Sequence, residues 1–217
     1  MKTYGNCITA KVFMGIKLED IKEHIPYYLT QEAKDGLIKE LKNFPDKMNY
    51  YTTKHQDGVL QGDGWDSFSI IDLETAQRKS TKGIILSNSC DINQENYRDI
   101  PARIIFAPII KLSRYEALLT KTVFDPEKIS MKMSSIRRQN MTSLFYLPKG
   151  GCLESEYIAL LDDLHTLPVQ LFCKTDERTK QFTLSQAGFY LFLFKLSIHF
   201  CRFHENVLRD NEPQQTN

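Results

Sequence analysis

The chain lacks three things that would narrow its function at once: an excess of charge, paired cysteines and an uninterrupted apolar run. Lys and Arg total 28 against 27 Asp and Glu, so the net charge is +1. A chain this close to neutral has no global field to draw in nucleic acid or an acidic membrane, which leaves only a local basic patch for such a role. The five cysteines stand at positions 7, 90, 152, 173 and 201, an odd number with wide gaps and no CxxC pair. That spacing excludes a disulfide framework and a zinc ribbon, and points to a reduced, cytoplasmic setting. The start, MKTYGNCITAKVF, lacks the apolar core of a signal peptide. No repeat or low-complexity tract is present, and the last residues, 210–217, read as a disordered polar tail.

What is there is an ordinary globular composition, 41% hydrophobic and 25% charged over 217 residues. A chain of this length buries enough surface to fold without a metal or disulfide staple. Residues 1–60 read as a helical extension, apart from a strand at Ile8 to Phe13. Its best helix runs from Gln31 to Phe44, capped by Thr30 and stopped by Pro45.

Strand signals begin near residue 61. Trp65 to Ile71 alternates as a half-buried strand, and Gly83 to Ser87 is a short apolar one. Between them Asp72 to Lys82 reads as a charged connection. Arg103 to Ile110 is a third strand, where Pro108 calls for an edge or a bulge. Ser113 to Thr120 forms a short helix. Asp125-Pro126-Glu127 begins another, to about Asn140, because an Asp cap, Pro at the first helical position and Glu in the first turn belong together. Phe145 to Leu147 and Tyr157 to Leu161 follow as strands around a Lys149-Gly150-Gly151 turn, and Val169 to Cys173 is a further strand candidate. Thr183 or Ser185 caps the last helix, Gln186 to about Arg209. The expected organisation is therefore α+β: a helical extension at 1–60, a central sheet region at 61–182 with a helical insertion, and a long apolar helix at 183–209.

That helix is apolar around much of its circumference, as expected of a buried or shared element. Phe189, Phe192, Leu193 and Phe194 are its candidate interface residues, for a protein partner or a second copy. Lys195, His199 and Arg202 interrupt it, which excludes a membrane span.

The chemistry-bearing candidates fall into four groups. Cys90 and Asp91 adjoin in Ser89-Cys90-Asp91. A thiol needs a base or a cation beside it to become a nucleophile. The simpler reading is a turn capped by Ser89 and Asp91, with Cys90 packed as a small apolar residue. His199, Cys201 and His204 have zinc-ligand chemistry, but on one helix positions 199 and 201 point apart and no second cluster completes a set; no metal or other cofactor is expected. Asp63, in the Gly62-Asp63-Gly64 turn, caps that turn or reaches across the sheet, and the single Trp65 packs in the core or stacks on a base. Arg78, Lys79, Lys82, Arg98 and Arg103, with Lys128, Lys132, Arg137 and Arg138 further on, could assemble a surface for RNA or DNA phosphates.

Gly62-Asp63, the strand Ile84 to Asn88 and Phe106-Ala107-Pro108-Ile109 occur in an order that resembles the PemK/MazF-like toxins. The resemblance spans about a quarter of the chain, a small share of a typical domain. It implies an SH3-like β-barrel that cuts RNA as a dimer. The family's catalytic arginine falls at Thr81, beside Lys82, and its catalytic threonine at Ile110. An isoleucine cannot act as an acid or stabilise charge. Leu86 to Ile92 also resembles segments of prokaryotic proteins encoded among mobile or defence genes. The resemblance thus implies a central barrel without the usual ribonuclease residues, and a binding or assembly subunit of a toxin-like or defence system. Two alternatives stand beside it. One is a nuclease using Arg78, Lys79 or Lys82 with Asp63 or Asp91, and the other is a Cys90-dependent hydrolase or transferase.

Overall fold

The computed structural model describes residues 35–39, 44, 48–72, 74–93, 95–96, 99–123, 125–174 and 178–201. The expected strand at Ile8 to Phe13, the Thr30 cap, the tail, Arg98 and His204 lie outside the described residues. The fold is mixed α+β. Its strands are β1 (Tyr51–Thr52), β2 (Gly64–Ile71), β3 (Arg78–Ile85), β4 (Arg103–Lys111), β5 (Leu144–Leu147), β6 (Tyr157–Leu160), β7 (His165–Pro168) and β8 (Lys180–Leu184). Its described helices are α1 (35–39), α2 (Ser89–Ile92), α3 (Leu112–Thr122), α4 (Pro126–Arg137), α5 (Val169–Cys173) and α6 (Gln186–Cys201).

All eight described strands join one antiparallel sheet in the order β1-β8-β2-β3-β4-β6-β5, with β7 also on β4. Among the described residues no ladder links β1 to β5, so the expected barrel is corrected to an open sheet. The sheet curls enough to bring its ends together through side chains and a turn. The Tyr51 hydroxyl donates to the Pro148 carbonyl at 2.7 Å, and Cys152 N donates to the Gln181 carbonyl at 2.7 Å.

Both faces of the sheet are covered, which explains why β3 ends in a continuous apolar run rather than an alternating one. Ile84 enters the larger core with Ala107, Ile109, Ile158, Phe182 and the α6 residues Leu191 and Phe192. The next residue, Ile85, enters a smaller core with Phe68, Phe106, Leu167 and Phe172. Burial of an aliphatic or aromatic side chain is worth about 1.5–3 kcal/mol, so each face contributes substantially. Gly188 lets α6 approach closely, since a Cβ there would lie 2.4 Å from the Tyr50 carbonyl oxygen.

Four local expectations are revised. Pro108 sits on neither an edge nor a bulge; β4 pairs with β7 through Phe106 and with β6 from Ile109, and Pro108 stands where the partner changes. Its missing N–H therefore removes no rung from either ladder. The run Val169 to Cys173 is helix α5, not a strand, a confusion inherent in short apolar runs. The connection after β2 is shorter than expected because β3 starts at Arg78. Ser185 rather than Thr183 caps α6: its hydroxyl accepts from Gly188 N at 3.1 Å, while Thr183 lies in β8.

Candidate functional site

Asp63 is fully buried and held from two sides. Gly62 has φ +85°, the left-handed region glycine tolerates, and its N–H bonds the Ile85 carbonyl at 2.8 Å. That turn aims the Asp63 carboxylate inward, where Oδ2 accepts from Leu60 N at 2.9 Å and pairs with Lys180 Nζ at 2.9 Å. The same ammonium donates to the His55 carbonyl at 2.8 Å and the Gly58 carbonyl at 2.6 Å. It also stands 5.3 Å from the Trp65 ring centroid. Burial pushes the Asp63 carboxyl up, against the Lys180 and Leu60 bonds, and its Oδ1 is buried with no hydrogen-bond partner. Asp63 thus caps its turn and fastens the loop ahead of β2 to β8. Trp65 packs edge-on against Phe172, centroids 5.4 Å apart.

Cys90 and Asp91 occupy α2 and are both exposed. The cap is Asn88, whose side chain accepts from Cys90 N at 2.9 Å. Ser89 instead accepts from Gln61 N at 2.9 Å, so its hydroxyl fastens the Gly62 turn to this segment. Cys90 is therefore not packed as a small apolar residue; Ile92 fills that role, at 4% exposure. Asn96 Nδ2 donates to the Cys90 carbonyl at 2.6 Å.

The basic candidates on the strands each engage a partner within the chain. Arg78 donates through Nε and Nη2 to the Ser69 hydroxyl at 2.9 and 2.7 Å. Lys79 pairs with Asp72, a half-buried carboxylate that this contact draws down to about 2. Arg103 donates to the Thr166 hydroxyl from Nη2 at 2.9 Å. Lys82 lies opposite Ile109 in the β3–β4 register, while Thr81 pairs with Phe68 of β2 and Ile110 with Ile158 of β6. Its amine donates to the Gln181 side chain, whose Nε2 in turn reaches Asp66 Oδ2 at 3.3 Å. Arg178 is a further cation that the sequence reading passed over. Its guanidinium lies 4.7 Å from the Phe172 centroid and 5.5 Å from that of Phe68. Burial pulls it below the usual guanidinium value, with Asp66 opposing.

On α6, Phe192 is fully buried and Phe194 is 6% exposed, both within the chain's own core. Phe192 packs on Phe145 at 5.0 Å. Neither is available to a partner, while Phe189 and Leu193 are half-buried and Phe200 is exposed. Among the described residues, no group of His, Cys, Asp or Glu could hold a metal, and no helix is long and apolar enough to cross a membrane.

A concave site lies elsewhere, between α3 and α4, with a volume of about 1110 Å³. The Asp125 cap builds one wall: its carboxylate accepts from Glu127 N at 3.0 Å, starting α4 immediately after the turn from α3. The two helices run antiparallel, so the groove has two unlike ends. One holds Ser113, Glu116, Arg137, Arg138 and Tyr146; the other is lined by Thr120, Val123, Pro126, Ile129 and Ser130, with Ala117 and Met133 between. The polar end is preorganised. Arg137 grips Glu156 with Nε to Oε1 and Nη2 to Oε2, each at 2.8 Å. The Tyr146 hydroxyl donates to Glu156 Oε1 at 2.5 Å. Arg137 holds Glu156 below the usual carboxylate value, and burial with the Glu156 bond pushes Tyr146 up. Arg137 Nη1 takes no part in these bonds. Residues 112–138 carry six basic and three acidic side chains, a net +3 where the whole chain carries +1.

Beneath the groove, Gln139 is 1% exposed and brackets Tyr146, with Nε2 on its carbonyl at 2.8 Å and Oε1 on its N–H at 3.0 Å. The buried Lys195 ammonium donates to the Gln139 carbonyl, and desolvation draws it down to about 7. No protein-family model matches the chain, and no curated protein matches it.

Proposed function

We propose that the protein is a binding subunit built on a PemK/MazF-like curled sheet, rather than a ribonuclease or a thiol enzyme, and that the α3–α4 groove is its ligand site. The observation that carries this reading is the groove itself: a large concavity with a polar end held in place by Arg137, Glu156 and Tyr146. Preformed concavities with a few fixed polar groups are the usual form of a ligand site. The candidates for chemistry support it by their arrangement. The amine of Lys82 is engaged by Gln181, opposite Ile109, and Asp63 is engaged by Lys180 in the interior. The resemblance to PemK/MazF-like proteins would place such a subunit in a toxin-like or defence system, with assembly through the half-buried flank of α6 around Phe189 and Leu193.

The test has two arms. Wild type incubated with a mixed RNA pool is expected to leave it intact. Ala117→Trp, an exposed substitution in the groove wall, is expected to remove a ligand that co-purifies with wild type while leaving the circular dichroism unchanged. RNA cleavage by wild type that Lys82→Ala abolishes would replace this reading with the nuclease.

A further inference from the structure

Arg178, just ahead of β8, holds a guanidinium without an acceptor. Its Nε and Nη1 are buried and have no hydrogen-bond partner. The rings of Phe172 and Phe68 lie against it, and a ring face attracts the charge but offers no oxygen lone pair. A cation taken from water without an acceptor is costly, and in such a setting an anion is held more firmly than on an open surface. With Nε and Nη1 enclosed, Nη2 is the nitrogen left for an incoming oxygen.

Two more cations stand around this point. Strand β8 pairs with β2 only at Gly64 and Trp65, so among the described residues β2 has no neighbour on that side beyond Trp65. The Arg78 guanidinium is held there by the Ser69 hydroxyl and repels that of Arg178. Lys82 donates to the Gln181 side chain, which donates to Asp66. Arg78 is exposed and Lys82 half-buried, so both are within reach of solvent.

The charges of this cluster do not balance. Asp66 is its carboxylate, and its oxygens accept from neutral donors: Oδ1 from Thr179 N at 2.7 Å, Oδ2 from the Thr179 hydroxyl at 2.6 Å and from Gln181 Nε2 at 3.3 Å. Asp66 attracts Arg178 without pairing with it. The nearby Asp72 is taken by Lys79. Among the described residues, Arg78, Lys82 and Arg178 therefore share the field of a single carboxylate, and positive charge is in surplus. A phosphate carries more charge and more acceptor oxygens than a carboxylate, and guanidinium groups suit it.

We propose that Arg178, Arg78 and Lys82 form a phosphate-binding site where β8 ends against β2. The site shares no residue with the lining of the α3–α4 groove and does not depend on it. A phosphate between the two guanidinium groups replaces their mutual repulsion with attraction to a common partner, and Lys82 adds to the field.

The experiment is calorimetric titration of the full chain in low-salt, phosphate-free buffer with methyl phosphate, dimethyl phosphate and acetate. Methyl phosphate should saturate a single site, and acetate should bind about tenfold more weakly. Weaker binding of dimethyl phosphate assigns the site to a phosphate monoester; equal or tighter binding assigns it to a phosphodiester backbone. Arg178→Gln and Arg78→Gln should each weaken methyl phosphate about tenfold, the worth of one charge-assisted hydrogen bond. Lys79→Ala and Ala117→Trp should leave it unchanged. Should Arg178→Gln fail to fold, as circular dichroism reads, Arg78→Gln at its exposed position still carries the test.

No heat from methyl phosphate at millimolar concentration, acetate matching it, or full affinity in either folded arginine variant would overturn the proposal. Lys79→Ala weakening binding as much as Arg78→Gln would replace the site with diffuse surface charge. Loss of binding in Ala117→Trp would move the phosphate to the groove and overturn the assignment to Arg178.

Discussion

Two corners of this protein each bury a lysine ammonium, and they do so with opposite degrees of compensation. At the β2–β8 corner, Lys180 has the Asp63 carboxylate, two main-chain carbonyls and the face of Trp65. At the α4–β5 corner, Lys195 is 1% exposed with one main-chain carbonyl, that of Gln139. An ammonium taken out of water is costly unless paired. The first corner is therefore a fastener that depends on its charges, while the second carries a charge the fold would be more stable without.

Removing one partner at the first corner should produce the largest effect. Lys180→Met leaves Asp63 buried and unpaired, and should cost about 3–5 kcal/mol in urea unfolding. The double variant with Asp63→Leu should recover part of that loss. A loss below about 1 kcal/mol for the single variant would mean the ion pair contributes little.

The second corner should respond with the opposite sign. Lys195→Met should raise stability by about 1–3 kcal/mol near pH 6, since it removes an uncompensated buried charge. The pH dependence follows from a folded value of about 7 against the ordinary 10.5. Between these values the unfolded chain binds a proton that the native protein does not, so wild-type stability rises with pH across that window. Below about 7 both states are protonated and the full cost is present. The gain from Lys195→Met should therefore shrink toward pH 10, as read by unfolding at three pH values; an unchanged gain would assign it to packing rather than charge.

A smaller effect is expected at the polar end of the groove. Glu156→Gln should cost about 0.5–1 kcal/mol, because the pair with Arg137 is partly exposed. The folded Glu156 value is lowered from 4.5, so its contribution is present above that pH and fades as pH falls below it. A wild-type acid-unfolding profile that Glu156→Gln leaves unchanged would count against this assignment. The smallest effect belongs to Lys79→Ala, which removes the partly exposed pair with Asp72 and should leave the thermal midpoint unchanged.

The elements legible in the chain are those whose signals are local. Asp125-Pro126-Glu127 marks the start of α4 through a cap, a pre-set φ and a favourable charge, all within three residues. The apolar pattern of β2 and β4 is readable because each has at least eight residues. The candidate site was less legible. Arg137 and Arg138 were visible as basic residues, but their meaning depends on Tyr146 and Glu156, which a later hairpin brings to them. Lys180 lies more than a hundred residues from Asp63, and no local spacing announces that pair. The run Val169 to Cys173 resembles a strand in sequence but forms helix α5, because five apolar-rich residues carry no usable period.

By itself the sequence determined the Asp125 cap of α4, the glycine turn at Gly62, the α+β content and the near-neutral charge. Each of these follows from the preferences of a few neighbouring residues or from composition alone. The tertiary structure decided that the sheet stays open, that Ser89 fastens a turn, that Phe192 and Phe194 belong to the core, and that two helices leave a groove between them. Each of these depends on which distant surfaces meet, and the long-range contacts that settle it leave no period in the chain.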